Sequence, residues 1–368
     1  METALALGRR ALGAAWPNPG VGAVIVRPGL NGGPGQVVGR GWTAVGGRPH
    51  AETIALAHAG HAARGATMYV TLEPCSHYGK TPPCADALIA AGISRVVACL
   101  TDPDPRVSGR GFERMRAAGI QVETGLLAAE AEQALAGYLA KRRLGRPLVT
   151  LKLATSLDGR IAARTGDSKW ITGPAARARA HQLRSLHDAV LIGSGTALAD
   201  DPLLTVRLPA MPGEALRQPL RVVLDGSARL PVDSALAGSV AAGPVLLLHA
   251  PDAPSGRLAA LRQRGVTLEA VARNADGQLD MTAILGALVE HGAGSVLIEG
   301  GARVAAGFMR AGFVDRLAWF RAPILLGGDG VPALAGLDLD SVGDAARWRN
   351  EGNEAIGPDR LDLFARKE

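Results

Sequence analysis

The chain has 368 residues, of which 47% are hydrophobic and 20% are charged, and its formal net charge is +6. This is the composition of a globular protein long enough for two domains with full cores, and no apolar run is long enough to span a bilayer. Three cysteines exclude a disulfide framework and are typical of a reducing compartment. The first residues lack the charged segment and apolar core of a signal peptide. We therefore expect a cytoplasmic protein with no membrane partner.

The basic charge of the chain raises the question of nucleic-acid binding. The arginines are scattered, without the long basic run that marks a polyanion-binding arm, and aromatic residues make up only 4% of the chain. Stacking platforms for bases are therefore scarce. We expect no nucleic-acid partner, because the charge suits small phosphorylated substrates at least as well.

Taken in chain order, the first part of the sequence predicts strands that alternate with helices. Such alternation indicates a three-layer α/β sheet, with ligand-binding loops at the strand ends. A helix predicted over 128–143 ends in a cluster of positive charge followed by Gly145 and Pro147, so we place a domain boundary there, giving domains 1–145 and 146–368. The predicted elements before it are helix 4–15, strand 21–26, strand 36–41, helix 51–63, strand 66–72, helix 84–91, strand 94–100, helix 109–118 and strand 120–123.

The second part of the sequence alternates strands and helices again. After its last predicted strand comes Glu299-Gly300-Gly301, which opens a helix ending at Arg310. Glycines at such a turn let a backbone approach a pyrophosphate, although a plain tight turn explains them equally well. The other predicted elements are strand 149–153, helix 174–185, strands 189–192, 220–224 and 245–248, helix 281–290 and strand 295–298.

A zinc-type motif organises the first domain. His50, Cys75 and Cys84 are typical zinc ligands, and Glu52 lies next but one to the histidine. Three protein ligands leave the fourth position of a tetrahedral zinc for water, whose pKa the metal lowers to about 7. Glu52 is placed to move protons without being a ligand, so the motif favours hydrolytic deamination.

Two alternatives weigh against this interpretation. The cysteines are further apart than in the general Pro-Cys-x-x-Cys signature, which would suit a structural zinc or no metal at all. His77 is a competing ligand candidate, although we expect it to line the pocket instead.

At this point the sequence resembles the bifunctional deaminase-reductases of riboflavin biosynthesis, which share the long gap between the cysteines. The resemblance implies a cytidine-deaminase-like first domain in which His50, Cys75 and Cys84 bind Zn²⁺ and Glu52 shuttles protons. Residues in positions expected to meet the pyrimidine or its ribose phosphate are Asn18, Lys80, Asp102 and Asp104, the last often Asn in the family. The motifs that carry the resemblance are Pro17-Asn18-Pro19, His50-Ala51-Glu52, the segment from Thr71 to Cys84 and Asp102-Pro103.

The second domain resembles the reductase half of the same family, which implies a fold similar to dihydrofolate reductase. The motifs are Lys152-Leu153-Ala154, Ser156-Leu157-Asp158-Gly159, Trp170-Ile171-Thr172, the segment 198–207 and Glu299-Gly300-Gly301. Implied NADPH contacts are Ala154, Trp170, Thr196, Asp200, Gly301, Ala302, Arg303 and Gly307. Implied substrate contacts are Lys152, Ser168, Arg184, Leu204, Arg207 and Glu299. Lys152 and Asp200 are also candidates for orienting the ribose and relaying the proton.

The function expected from the resemblance is a two-step conversion of a phosphorylated pyrimidine. Zinc-dependent hydrolysis removes an amine from a diamino-ribosylamino-pyrimidinone phosphate, and NADPH then reduces the ribosyl group to ribityl. A homo-oligomer is expected. The main rival is a nucleic-acid base deaminase, supported by the basic charge alone, and a third possibility is a non-catalytic, zinc-stabilised binding module.

Overall fold

The computed structural model describes residues 1–29, 33–79, 81–209 and 217–367. The chain forms two compact units, Met1–Arg146 and Pro147–Glu368. No helix in these described ranges is long and apolar enough to cross a membrane.

The first unit is built on a five-stranded sheet in the order β2-β1-β3-β4-β5. Strand β1 is antiparallel to β2 and β3, whereas β3, β4 and β5 are parallel to one another. The elements are α1 Glu2–Arg9, β1 Gly22–Arg27, β2 Gln36–Trp42, α2 Ala51–Ala59, β3 Thr67–Val70, α3 Cys84–Ala91, β4 Arg95–Ala98, α4 Arg110–Ala117, β5 Gln121–Thr124, α5 Ala128–Ala134 and α6 Ala136–Leu144.

Helices cover both faces of this sheet, as alternate residues of β1 show. Ala23 and Ile25 belong to the core that contains Ala51 and Ala55 of α2. Val24, on the opposite face, packs with α1. Because successive side chains of a strand point to opposite faces, this places helices on both sides and gives three layers.

Three predicted helices are shorter than expected. The α-helix predicted over 51–63 ends at Ala59 and is followed by a short 3-10 helix, Gly60–Ala63. The helix predicted over 4–15 ends at Arg9, and the chain continues in turns through Gly13, whose φ is +68°. The helix predicted over 128–143 is interrupted at Leu135, where φ is −101° and ψ is 9°. Leu135 is buried in the core, and the kink there lets both α5 and α6 pack against this core.

The second unit is built on a nine-stranded sheet in the order β11-β10-β9-β8-β12-β6-β13-β16-β15. The strands from β11 to β13 are parallel, and β16 and β15 add an antiparallel edge. Its strands are β6 Leu148–Thr155, β7 Arg160–Ala162, β8 Ala189–Gly193, β9 Leu220–Leu224, β10 Val245–His249, β11 Thr267–Ala270, β12 Ser295–Ile298, β13 Arg316–Arg321, β14 Val331–Pro332, β15 Trp348–Ile356 and β16 Asp359–Arg366; β7 pairs with β14.

The helices of this unit also lie on both faces of its sheet. One core combines β6 and β12 with α11 and α12, and the other combines β8 and β9 with α7, α9 and α10. The bounds of these helices are α7 Pro174–Ser185, α8 Ser194–Asp200, α9 Ala235–Gly238, α10 Ser255–Gln263, α11 Met281–Glu290 and α12 Ala302–Arg310.

Candidate active sites

His50, Cys75 and Cys84 converge in the first unit. Nδ1 of His50 lies 3.3 Å from Sγ of Cys84 and 3.7 Å from Sγ of Cys75. Their three donor atoms lie within 4.8 Å of one another. Three soft or borderline donors therefore face a common point, although they come from segments that are 25 and 34 residues from the histidine.

The donor set fits zinc. In a tetrahedral zinc site the nitrogen ligand lies about 2.0 Å and the sulfur ligand about 2.3 Å from the metal, so the two ligand atoms are about 3.5 Å apart. The observed nitrogen-to-sulfur distances of 3.3 and 3.7 Å bracket that value. Among the described residues, no fourth His, Cys, Asp or Glu belongs to this cluster. The arrangement therefore leaves room for water or a substrate atom.

Two helix N-termini position these groups. His50 is the N-cap residue of α2, and Pro83 precedes Cys84, the first residue of α3. The backbone N–H of Cys84 donates to Sγ of Cys75 at 3.3 Å. A proline suits this position because its fixed φ is compatible with a helix start, and unpaired N–H groups at such a start favour a thiolate.

The pKa values of Cys75 and Cys84 are shifted in opposite directions. The hydrogen bond between the two thiols, followed by the one to His50, lowers the pKa of Cys75 to about 4. The same thiol–thiol hydrogen bond and burial raise the pKa of Cys84. The lowered pKa of Cys75 favours its thiolate form, which is the form that zinc ligation requires.

Glu52 lies in the first turn of α2, beside the ligand cluster. Glu52 is only 4% exposed to solvent. Burial raises the pKa of its carboxyl group to about 7, against the opposing effect of His50. The carboxylate lines the same cavity as His50 and Cys75 and is placed to exchange a proton there.

Glu73 fixes the loop that forms another wall of this cavity. Its carboxylate accepts backbone N–H groups from Asp102 at 3.1 Å, Gly109 at 2.9 Å and Gly111 at 2.9 Å. A Cβ at Gly111 would lie 2.2 Å from the carbonyl oxygen of Pro74, so only glycine allows α4 to approach the cysteine loop so closely. Sequence reasoning did not assign Glu73 a role.

The cavity has a volume of about 280 Å³, and three of the four residues predicted to contact the deaminase substrate line it. Asn18 donates from Nδ2 to the carbonyl oxygen of Gly47 at 2.8 Å. Asp102 accepts the hydroxyl of Tyr138 at 2.8 Å, and Asp104 is paired with two arginines. Lys80, the fourth predicted contact, lies outside the described residues. Tyr138 and the lining arginines Arg48, Arg106 and Arg142 were not predicted, because each is unremarkable in its own segment.

In the second unit, Glu299 is the centre of a buried charge cluster at the end of β12. Its carboxylate accepts Nε of Arg184 at 2.5 Å and Nη2 at 3.0 Å, and Nζ of Lys152 lies 3.7 Å away. Burial raises the pKa of Glu299, but Arg184 and Lys152 outweigh it and lower the value to about 2. Three predicted substrate contacts from separate segments of the chain are therefore brought together.

Arg184 and Arg207 are held differently. Nη1 of Arg184 donates to the carbonyl oxygen of Thr205 at 3.1 Å, so all three of its nitrogens have protein partners. Arg207 is exposed and lies against His181, with its backbone N 3.2 Å from Nδ1. His181, whose pKa is lowered by burial and by the two arginines, was not predicted. Leu204 is buried, 4% exposed, with a φ of +54°.

The glycine turn after β12 is the start of α12. Gly301 is the N-cap residue, and its N–H donates to the hydroxyl of Thr196 at 3.1 Å, which joins two predicted cofactor contacts. Ala302 and Arg303 form the first turn of α12. Gly307 lies in the second half of the helix, where a Cβ would lie 2.8 Å from Cε of Met281, at the flexible end of that side chain.

The remaining predicted residues of this unit lie at its surface or at a strand end. The ring of Trp170, 69% exposed, stacks against the guanidinium of Arg177, whose Cζ is 4.3 Å from the ring centroid. Ala154 is partly buried near the end of β6. Ser168 is half-buried in a loop, and Asp200 is exposed at the last position of α8.

Comparison with known protein families matches both units. Residues 1–100 match the cytidine and deoxycytidylate deaminase zinc-binding region. Residues 147–361 match the RibD C-terminal domain.

Curated relatives match along nearly the whole chain. The riboflavin biosynthesis protein RibD of Bacillus amyloliquefaciens is 43% identical, over 98% of this chain and 93% of its own length. The protein of the same name from Escherichia coli K12 is 41% identical, over 98% of this chain and 96% of its own length.

Solved structures agree with these relatives. RibD from Acinetobacter baumannii superposes with a TM-score of 0.88 at 35% identity, covering 100% of this chain and 98% of that one. A diaminohydroxyphosphoribosylaminopyrimidine deaminase/5-amino-6-(5-phosphoribosylamino)uracil reductase from Thermotoga maritima gives a TM-score of 0.84 at 34% identity, covering 100% and 97% of the two chains.

Proposed function

This chain belongs to the RibD family of riboflavin biosynthesis proteins, and we propose how its residues divide the two reactions of the family between them. It is a bifunctional enzyme with a deaminase domain and a reductase domain. The resemblance and the fold class expected from the sequence motifs, a cytidine-deaminase-like domain followed by a dihydrofolate-reductase-like one, are confirmed. We assign deamination to residues 1–145 and reduction to residues 146–368.

In the deaminase domain, His50, Cys75 and Cys84 would hold zinc. When bound, zinc supplies a water nucleophile that is deprotonated near neutral pH. The substrate is the pyrimidine named in the relatives, diaminohydroxyphosphoribosylaminopyrimidine. Asn18, Asp102 and Asp104 line the same cavity as His50 and Cys75, which supports a role for them in orienting the ring and its sugar.

Glu52 carries the proton transfers of deamination. Its carboxylate takes a proton from the attacking water and returns protons to the ring nitrogen and the departing amine. Burial supports this role, because a carboxyl group with a pKa near 7 accepts and releases a proton with little cost at neutral pH.

In the reductase domain, a nicotinamide cofactor supplies the hydride, and we propose NADPH. The N-terminus of α12 at Gly301 and the adjoining Thr196 offer an N–H-rich turn for its phosphates. Further contacts proposed on the family motifs are Ala154, Trp170, Asp200, Ala302, Arg303 and Gly307.

The sugar phosphate of the reductase substrate would lie near Glu299. Because all three nitrogens of Arg184 are already directed at protein oxygens, this geometry favours Arg207 as the phosphate contact and Arg184 as the residue that holds Glu299. Lys152 lies beside the same carboxylate and is a candidate for orienting the ribose and relaying its proton. Ser168 and Leu204 complete the proposed substrate contacts.

The observation that carries the deaminase assignment is the convergence of three zinc-type donors, two of which, His50 and Cys75, line one cavity together with buried Glu52. The test is mass spectrometry of the products that the zinc-loaded protein forms from the diamino-ribosylamino-pyrimidinone phosphate. We expect deamination without cofactor, and deamination plus reduction with NADPH but much less with NADH. Unchanged substrate under both conditions, with zinc bound, would refute the proposal.

We further propose a homo-oligomer that acts in the cytoplasm on a small molecule and does not bind nucleic acid. The cytoplasmic assignment rests on the three free cysteines, two of which belong to the zinc cluster. Light scattering gives the oligomeric state. Salt-dependent binding to RNA or DNA would instead favour the rival base deaminase.

A further inference from the structure

We propose that Arg106 and Arg142, held by the carboxylate of Asp104, recognise the phosphate of the deaminase substrate, an assignment that rests on the proposed function of this domain. All three residues line the cavity that contains His50 and Glu52.

Asp104 holds both arginines at once. Its Oδ1 accepts Nε of Arg106 at 3.0 Å, its Oδ2 accepts Nη2 of Arg106 at 2.7 Å, and Nη2 of Arg142 lies 3.0 Å from the same Oδ2. The side chain of Asp104 is 4% exposed, whereas those of Arg106 and Arg142 are 58% and 32% exposed. The carboxylate of Asp104 is therefore buried, whereas the two guanidinium groups remain accessible to solvent.

Arg106 keeps unused donors. Arg106 has five N–H groups, and only Nε and Nη2 bond to Asp104, so its Nη1 edge makes no hydrogen bond within the described part of the chain. One carboxylate against two guanidinium groups leaves the trio with a formal charge of +1. A phosphate monoester, which carries about −1.5 to −2 near neutral pH, offers the missing acceptors.

Helix α6 also helps to hold the two guanidinium groups in position. Tyr138 and Arg142 are four residues apart on α6, so they share one face, and they bond to Asp102 and Asp104 of the neighbouring loop. The guanidinium of Arg142 also lies over the ring of Tyr138, with its Cζ 5.5 Å from the centroid. Both guanidinium groups are thus preorganised, which lowers the entropic cost of binding an anion.

The competing explanation is that the ion pairs only dock α6 against the loop. The two explanations differ in substrate dependence. A docking role affects the deamination of any substrate, whereas phosphate recognition affects only substrates that carry the phosphate. Comparison of the phosphorylated substrate with its dephosphorylated counterpart, prepared with a phosphatase, therefore separates them.

The experiment measures kcat and KM for ammonia release by zinc-loaded, full-length protein. The variants are Arg106→Gln, Arg142→Met and the double variant, with Arg143→Met as the matched control. Arg143 neighbours Arg142 on α6 but pairs with Glu132 at 2.8 Å and does not line the cavity. Inorganic phosphate is added as a competitor in a parallel series.

We expect the double variant to raise KM for the phosphorylated substrate at least tenfold, with little change in kcat and no change in KM for the dephosphorylated substrate. Inhibition by phosphate should weaken in parallel, and Arg143→Met should match the wild type. If the double variant does not fold, the same comparison of the two substrates is made with the single variants.

Equal losses for both substrates, or an unchanged preference for the phosphorylated one, would overturn the proposal and support docking alone. If the wild type deaminates both substrates with the same KM, the phosphate site is refuted while the proposed function stands. If it deaminates neither, both are refuted.

Discussion

The guanidinium of Arg184 and the carboxylate of Glu299 form a two-point ion pair, with Nε–Oε1 and Nη2–Oε2 distances of 2.5 and 3.0 Å. Their side chains are only 14% and 7% exposed. The pair joins the end of α7 to the loop after β12, 115 residues further along the chain. We therefore expect both the stability of this domain and reduction to depend on the pair.

Replacing Arg184 by methionine should destabilise the reductase domain. Removing one partner of a buried pair leaves an uncompensated charge and costs about 3–5 kcal/mol. Urea unfolding followed by fluorescence measures the loss, and NADPH-dependent reduction should fall with it while ammonia release persists. Unfolding at wild-type urea concentrations would show that Lys152, 3.7 Å from the same carboxylate, compensates for the missing arginine.

Replacing Glu52 by glutamine should abolish deamination without removing zinc. The amide has nearly the shape of the carboxyl group but cannot carry the proton, and such losses are typically about 10²–10⁴-fold. Ammonia release gives the rate, and a colorimetric assay gives the zinc content. Reductase turnover of the deaminated intermediate is the internal control. Retained ammonia release would mean that another group moves the proton.

Removal of zinc by a chelator should separate the two activities. The three predicted ligands all belong to the first unit, so ammonia release should stop while reduction of the deaminated intermediate continues. Added zinc should restore deamination with one ion bound per chain. Deamination that survives in the metal-free protein would contradict the ligand assignment.

His187 should make the stability of the reductase domain depend on pH. Its Nδ1 lies 2.7 Å from the carbonyl oxygen of Leu183 and must donate, so Nε2 accepts the hydroxyl of Thr150 at 2.9 Å. Burial lowers the pKa of His187 to about 4, from 6.5 in the unfolded chain. The unfolded state therefore binds the extra proton first as the pH falls.

The contribution of His187 is fully present above pH 6.5 and is lost as the pH falls towards 4, by up to about 3 kcal/mol. Urea unfolding at pH 7, 6 and 5 measures this slope. The His187→Gln variant, which cannot take the proton, should show a flatter dependence over the same range. Identical slopes in both proteins would assign the pH dependence to other groups.

Sequence periodicity located the three parallel strands of the first sheet and five of the seven in the second, because buried strands are continuous apolar runs. It missed the parallel strands β11 and β13 and the antiparallel edge strands β16 and β15. In β15 most residues are exposed and charged or polar, so no apolar pattern exists to detect. It also extended α1 and joined α5 to α6. At Leu135, burial in the core overrides a continuous run of good helix formers. After α1, the chain turns through Gly13, whose positive φ is not helical.

The cluster of His50, Cys75, Cys84 and Glu52 could be predicted because these residue types occur in short motifs typical of hydrolytic zinc sites. The arginines that line the same cavity could not. Arg48, Arg106 and Arg142 belong to three separate segments, and each alone is indistinguishable from a solvated surface charge. Only the fold shows that they share one cavity, just as it shows that Glu73 gathers the N–H groups of a distant loop.

The polar edge of the nine-stranded sheet has a practical consequence for handling the protein. Strand β15 ends the sheet with charged side chains such as Arg349, Glu351 and Glu354, which discourage pairing with another chain. Deleting the segment from residue 348 onwards would remove β15 and β16 together and uncover the apolar strand β13. Shortened versions of the enzyme should therefore aggregate during expression, whereas a tag joined after β16 leaves this edge intact.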